Sequence, residues 1–310
     1  MEFSHQSVLL HETIDALAIQ PDGIYIDGTA GGAGHSRAIA EQLTTGRLVA
    51  IDKDPTAVAV ATERLAPYPC AKVVQNDFRN IRAVWMEENL PPVNGVLLDL
   101  GVSSYQLDCA ERGFSYQHEA PLDMRMSQSG MSAADVVNTY SEHELIRVLR
   151  DWGEEKFAPR IARAIAVARQ EHPIRTTTEL ADLIRDAIPA ACRREGGHPA
   201  KRSFQAIRIE VNGELDALRT ALDDAFSILA VGGRLAILTF QSLEDRMVKQ
   251  AFAEYAKGCT CPPEFPVCVC GKTPRGRLVT RKPVTATEEE LAENRRSHSA
   301  KLRCIEKLHD

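Results

Sequence analysis

Apolar residues in the first hundred positions fall in short, nearly unbroken runs. Residues 23–27, 47–52, 71–75 and 95–99 read as strands with little polar interruption, the pattern of parallel strands covered on both faces. Between them, residues 36–43 and 55–65 have helical composition, with Asp54 placed to cap the second helix and Pro55 at its first position. Such repeated units imply right-handed crossovers and a doubly wound α/β sheet.

The pattern changes after Ser104. Residues 105–211 offer almost no convincing strand but several amphipathic helices, at 142–151, 154–169 and 178–188. Residues 212–229 then read as a helix ended by Gly232-Gly233, which leads into a buried strand at 234–240. Residues 277–281 and 301–308 are candidate last strands. The expected organisation is an α/β domain begun by residues 1–104, interrupted by a helical substrate-recognition insertion at 105–211, and completed by residues 212–310 with a basic tail.

At 310 residues and 44% apolar, the chain can bury a substantial core. No apolar run approaches the roughly 20 residues of a membrane span, and the first residues lack a secretory pattern, so a cytoplasmic protein without a membrane partner is expected. The net charge of −6 excludes a uniformly basic protein while leaving room for a local basic stripe.

Ligands of open parallel sheets bind beyond the carboxyl ends of the strands. Asp27, Asp52, Asp77 and Asp99 fall there, one per strand and helix unit, although any single one could be an ordinary turn residue or helix cap. The first turn, Asp27-Gly28-Thr29-Ala30-Gly31-Gly32-Ala33-Gly34-His35, is rich in glycine. It does not fit G-x-G-x-x-G, because Ala30 and Ala33 stand where glycines would be required, and it has no phosphate-loop lysine. An acid followed by glycines suits a ligand carrying a sulfonium and an ammonium group. Asp52 is placed to accept both hydroxyls of a ribose, as it would be in a nicotinamide enzyme too, and Phe78 could meet adenine or join the core.

Asp99-Leu100-Gly101-Val102-Ser103-Ser104 follows the fourth strand. Asp99, with Ser103 beside it, is the candidate catalytic group: an acceptor that could hold the N–H of a weakly nucleophilic amine during methyl transfer. Taken with Ser7-Val8-Leu9-Leu10-His11-Glu12, Glu111-Arg112-Gly113-Phe114-Ser115, Pro121-Leu122-Asp123-Met124-Arg125-Met126, Phe204-Gln205-Ala206-Ile207-Arg208-Ile209 and Ser242-Leu243-Glu244-Asp245-Arg246, these motifs resemble the RsmH (MraW) family along nearly the whole chain. The resemblance implies a class I, Rossmann-like methyltransferase fold with a helical insertion. It implies S-adenosylmethionine as cofactor and N4-methylation of a cytidine in the decoding region of 16S ribosomal RNA, within the small ribosomal subunit. Cofactor contacts would fall on Ala33, Gly34, His35, Asp52, Phe78, Asp99 and Gln106. His35 and Gln106 come from the resemblance alone; His35 by itself reads as a surface residue at a helix start. Two departures from the family pattern are Gln241, where histidine is frequent, and Tyr105, where proline is frequent. Glutamine cannot act as a general base near neutral pH.

Four thiols, Cys259, Cys261, Cys268 and Cys270, fall within twelve positions. The C-x-C spacing departs from the C-x₂₋₄-C of most zinc sites, so a structural zinc and a simple reduced-thiol loop both stay open, and methyl transfer needs neither. Basic residues gather at Lys201, Arg202 and Arg208 in the insertion and at Arg295 and Arg296 in the tail, where they could meet phosphates or serve as solvated surface. Methylation of DNA or a small metabolite, nicotinamide-linked oxidoreduction and noncatalytic RNA binding or ribosome assembly are the competing functions, and a homodimer is open.

Overall fold

The computed structural model describes residues 7–193, 197–259, 261–262, 265–267 and 269–309, without the side chains of Ser104 and Arg295. It divides into two compact units, residues 1–101 with 215–310, and residues 102–214. In chain order the first unit opens with α1 (Leu10–Leu17), β1 (Ile24–Asp27), α2 (Gly34–Ala40), β2 (Arg47–Asp52), α3 (Pro55–Leu65), β3 (Ala71–Gln75), α4 (Ile81–Glu87) and β4 (Val93–Asp99). The second unit holds α5 (Ser104–Asp108), α6 (Ala133–Thr139), α7 (Glu142–Asp151), α8 (Ala158–Glu171), α9 (Thr177–Ala187) and α10 (Lys201–Asn212). The chain returns through α11 (Glu214–Ser227), β5 (Leu229–Thr239), α12 (Ser242–Tyr255), β6 (Gly276–Leu278), α13 (Glu288–Glu293) and β7 (Lys301–Lys307).

The sheet runs β3-β2-β1-β4-β5-β7-β6, with β1 to β5 parallel and β7 antiparallel to both neighbours. Side chains alternate between two cores. Ile26, Ile51, Val96, Leu98 and Ile237 face Ile81, Leu222 and Phe252, whereas Tyr25, Ala50, Leu97 and Ala236 face Leu9, Leu17 and Ile39. Burial on both faces is why these strands lack polar alternation. Strand order reverses between β1 and β4, and a ligand crevice of such a sheet lies beyond their carboxyl ends. The fold is therefore the Rossmann-like arrangement expected of a class I methyltransferase.

Glycine and proline explain where the elements depart from the sequence reading. The helix expected over 212–229 is broken at Gly213, whose φ of +57° caps α10 before α11 begins at Glu214. Gly232 and Gly233 do not end that helix: they lie inside β5, which begins at Leu229 paired with Val93. The helix expected from 154 begins at Ala158 instead, because Glu154 takes a φ of +48° and Pro159 suits only the first turn. At the end of α11, the buried Lys307 ammonium donates to the carbonyls of Ser227 and Leu229 at 3.0 and 2.8 Å, where the helix dipole favours a cation.

The helical unit has its own core of Leu122, Met124, Val136, Leu149, Ile161, Ile184, Phe204 and Ile207. Ser132 and Ser141 form capping boxes with Asp135 and Glu144. Several of the recognised motifs serve this packing. The Asn212 amide accepts from Met126 N–H and donates to Met124 O, both at 2.8 Å, while Arg112 donates to the carbonyls of Arg125 and Met126. Gly113 is required by both its φ of +70° and its closeness to Pro121, whose carbonyl oxygen would collide with an added Cβ.

Candidate functional site

Three of the four strand-end acids converge on the turn after β1. Asp27 is 1% exposed and uses its carboxylate within the turn: Oδ1 accepts Thr29 N–H at 3.0 Å and Oδ2 accepts the Ser36 hydroxyl at 2.5 Å. Thr29 Oγ1 in turn accepts Asp99 N–H at 2.6 Å, tying the turn to the tip of β4. Gly31 N–H donates to Asp52 Oδ2 at 2.8 Å, tying it to the tip of β2. Arg64 closes the outer side by donating to Gly32 O at 2.7 Å. Asp27 thus shapes the turn, and Asp52 and Asp99 are left at its rim.

Asp52 accepts Gly31 N–H on one oxygen and Asp54 N–H on the other, each at 2.8 Å. Both oxygens keep acceptor capacity, since a carboxylate can take about four hydrogen bonds. Burial pushes its carboxyl up to about 6, against the pull of those two N–H groups. Asp77, by contrast, caps the turn at Phe78–Asn80 by accepting Arg79 N–H and lies beside Lys53. Phe78 is partly buried and packs against the core cluster of Ile26 and Leu98, with its Cβ 3.2 Å from where Gly28 would carry one.

His35 is not the surface residue its position suggested. It is 5% exposed, with Nε2 3.1 Å from the Val8 carbonyl and Nδ1 3.4 Å from Asp99 Oδ2. A carbonyl and an ionised carboxylate both only accept, so this setting favours a hydrogen on each ring nitrogen. Burial opposes that charge, but the hydrogen bond and charge of Asp99, with the charge of Asp27, outweigh it and hold His35 above the usual imidazole range. Asp99 Oδ2 is thereby occupied, and its Oδ1 is buried with no hydrogen-bond partner among the described residues. Burying a charged oxygen without a donor is costly, and the cost is recovered when a ligand brings one.

The backbone of the turn is close-packed as well. Ala33 takes a φ of +60° before α2, and a Cβ on Gly34 would run into Ser7 Oγ. S-adenosylmethionine fits this donor set: an orphaned buried carboxylate oxygen, a second carboxylate with spare acceptor capacity, a net negative rim and a backbone stripped of side chains.

Other residues singled out from sequence have partners of their own or stand exposed. Ser103 and Gln106 belong to the helical unit, where each caps the other: Gln106 N–H donates to Ser103 Oγ, and Ser103 N–H to Gln106 Oε1. Gln241 caps α12 and donates from its amide to Glu244 Oε1 at 2.9 Å, and Glu244 also accepts Phe240 N–H. Lys201 and Arg202 are exposed at the start of α10. Arg208 is no open phosphate contact: its fork pairs with Glu214 through two bonds of 2.9 Å, and both side chains are largely buried. Arg296 is partly exposed in the turn before β7, and the side chain of Arg295 lies outside the described residues. Of the four clustered thiols, Cys259, Cys261 and Cys270 come together, and Cys268 lies outside the described residues. Sequence reasoning missed Thr29, Ser36 and the Val8 carbonyl. Their only signal was membership of the motifs around them.

Against known proteins, the sequence profile of the MraW methylase family matches residues 2–308. The chain is 55% identical over 311 residues to the ribosomal RNA small subunit methyltransferase H of Lachnospira eligens, covering 99% of each. It is 55% identical over 315 residues to the protein of that name from Paenibacillus sp., covering 99% of this chain and 100% of the relative. A third relative of that name, from Clostridium botulinum, is 54% identical over 310 residues, covering 99% of this chain and all of its own length. No helix among the described residues is long and apolar enough to cross a membrane.

Proposed function

The chain belongs to the MraW methylase family, and we propose that it transfers a methyl group from S-adenosylmethionine to the exocyclic N4 amine of a cytidine in the decoding region of 16S ribosomal RNA. The observation that carries this reading is Asp99, with one oxygen held by His35 and the other buried without a donor at the switch point of the sheet. The relatives' names favour ribosomal RNA over DNA, a small metabolite or a nicotinamide substrate. The small-subunit setting and a cytoplasmic location follow from the same substrate.

When bound, S-adenosylmethionine supplies an electrophilic methyl on a sulfonium. Asp52 would accept the ribose hydroxyls, Phe78 would offer an apolar face to adenine, and the backbone at Ala33, Gly34 and His35 would hold the amino-acid end. Asp99 does the positioning that chemistry requires. The lone pair of a cytosine amine is delocalised into its ring, so attack needs the nitrogen to become tetrahedral. Asp99 Oδ1 accepts an N–H of that amine, favours this geometry and offsets the positive charge developing on nitrogen. His35 fixes the Asp99 carboxylate. Ser103 lies four residues beyond Asp99 and is the second candidate acceptor. Exposed Lys201 and Arg202 and the partly exposed Arg296 are the candidates for phosphate contacts, and the target cytosine would leave its stack to reach the pocket.

Nucleoside mass spectrometry of small-subunit RNA tests the reading. Cells lacking the protein lose the N4-methylcytidine signal and regain it with the intact gene; an unchanged signal overturns the assignment.

A further inference from the structure

The segment joining α12 to β6 spans 256–275 and contains no helix or strand among its described residues. Connections of this length without secondary structure are uncommon in compact domains. Its base is closed: a Cβ on Gly258 would stand 3.2 Å from Pro274, and the Arg275 guanidinium lies over the rings of Tyr255 and Phe226 at 5.2 and 5.6 Å. Beyond the base no apolar core forms among the described residues, since Phe265, Val267 and Val269 are 51%, 70% and 73% exposed. The sulfurs do the reverse. Sγ atoms of Cys259, Cys261 and Cys270 all lie within 4.8 Å of one another, and those of Cys259 and Cys270 are 3.7 Å apart.

We infer that Cys259, Cys261 and Cys270 bind a zinc ion that organises this segment. Tetrahedral zinc with Zn–S bonds of about 2.3 Å sets neighbouring sulfurs about 3.8 Å apart, which the Cys259 and Cys270 pair already matches. Backbone N–H groups point at the sulfurs, Val269 to Cys261 at 3.3 Å and Cys261 to Cys259 at 3.4 Å. Such bonds stabilise thiolates and orient metal ligands. Gly271, at a φ of +63°, turns the chain directly after the last thiol. The C-x-C spacing that departs from most zinc motifs is no obstacle, because the approach is made across the loop, between Cys259 and Cys270, and not only within a pair. Soft thiolates select zinc over magnesium or calcium. Binding converts three thiols to three thiolate–zinc bonds, displaces water from the ion at those positions while one water keeps the fourth, and releases three protons to solvent, with no change of oxidation state.

Zinc content of the tag-free chain, purified under reducing conditions, tests this by elemental mass spectrometry, together with N-ethylmaleimide footprinting before and after chelation. About one zinc per chain is expected, with Cys259, Cys261 and Cys270 protected until the metal is removed, while Cys109 and Cys192 label equally throughout. The double variant C259S/C270S should lose the metal yet keep S-adenosylhomocysteine affinity, which shows that the first unit still folds. Failure of the reduced, metal-free chain to retain added Zn²⁺ overturns the inference, as does a disulfide joining Cys259 and Cys270 in protein taken directly from cells.

Discussion

His35 Nδ1 lies 3.4 Å from Asp99 Oδ2 while its Nε2 donates to the Val8 carbonyl at 3.1 Å, so the ring is held between two groups that only accept. The pair joins the first residues of α2 to the tip of β4, the two sides of the switch point. Its consequence is a fixed carboxylate: Asp99 can present Oδ1 to a ligand without rotating Oδ2 away from its partner.

An imidazolium at His35 is therefore expected near neutral pH, when an isolated histidine is mostly neutral. The groups facing the ring are Asp99, Asp27 and the Val8 carbonyl. Long-range proton–nitrogen NMR on selectively labelled protein should show both ring nitrogens protonated, and D99N should return the ring to the neutral form. Because the folded pKa is raised, the stability linked to this proton is complete below the unfolded value and is lost as pH rises through the folded one. A neutral ring in the wild type near pH 7 sinks the arrangement.

Removing the Asp99 charge tests the chemistry apart from RNA binding, with S-adenosylmethionine held saturating because Asp99 is also a candidate cofactor contact. D99N should lower single-turnover methyl transfer roughly a hundred- to a thousand-fold, the usual cost of losing one preorganised group at the developing charge. RNA affinity should stay unchanged, because phosphate contacts lie elsewhere. Equal losses in both measurements would show that Asp99 acts through folding.

Asp52 gives a pH dependence of the opposite kind. With its carboxyl at about 6, it is ionised and able to accept two hydroxyls above that value and protonated below it. Calorimetry with S-adenosylhomocysteine should show affinity falling as pH drops through about 6. D52N should flatten that dependence and weaken binding by roughly ten- to a hundred-fold, from about 1.5–3 kcal/mol for hydrogen bonds to a charged group. For folding the sign reverses: the native state holds this proton where the unfolded chain does not, so the contribution to stability declines as pH rises from the ordinary carboxylate range to about 6.

Gly34 offers a steric test of the turn. A Cβ there collides with Ser7 Oγ and crowds Ser7 Cβ, so Ser7 must turn aside, and G34A should cost about 1 kcal/mol of stability and reduce S-adenosylhomocysteine affinity. Replacing Ser7 by glycine in the same chain removes the colliding atoms and should restore most of both. Persistent loss in the double variant would mean that the glycine serves the ligand directly and not the packing.

The sheet was legible because its strands are buried on both faces, and runs such as Val96-Leu97-Leu98 have few other uses. Helix boundaries were less so where one residue with positive φ decides them. Gly213 and Glu154 moved two helix starts, and neither residue type is diagnostic alone. Within the site, Asp52 and Asp99 could be located from strand ends, but the same rule also selected Asp27 and Asp77, which accept hydrogen bonds from their own turns. Which acid faces a ligand depends on what its neighbours donate, and those neighbours are set by the tertiary fold. The burial of His35 shows this most clearly: its partners, Val8 and Asp99, are distant in sequence on either side.

The basic residues divide on the same ground, and their division can be measured. Arg208 is bound through both ends of its fork to Glu214, and both side chains are largely shielded from water. Truncating one partner of a shielded pair leaves the other charge uncompensated, so R208A should destabilise the helical unit by about 2–4 kcal/mol. If the pairing with Glu214 is its whole role, the salt dependence of RNA binding by the remaining folded protein should not change. Lys201 and Arg202 stand exposed at the start of α10, so K201A/R202A should leave thermal stability nearly intact. Should they meet phosphates, the slope of log affinity against log salt falls by about 1 for each phosphate no longer neutralised. A slope unchanged in K201A/R202A but reduced in R208A would reverse the assignment, placing the RNA on the face that Arg208 and Glu214 now close.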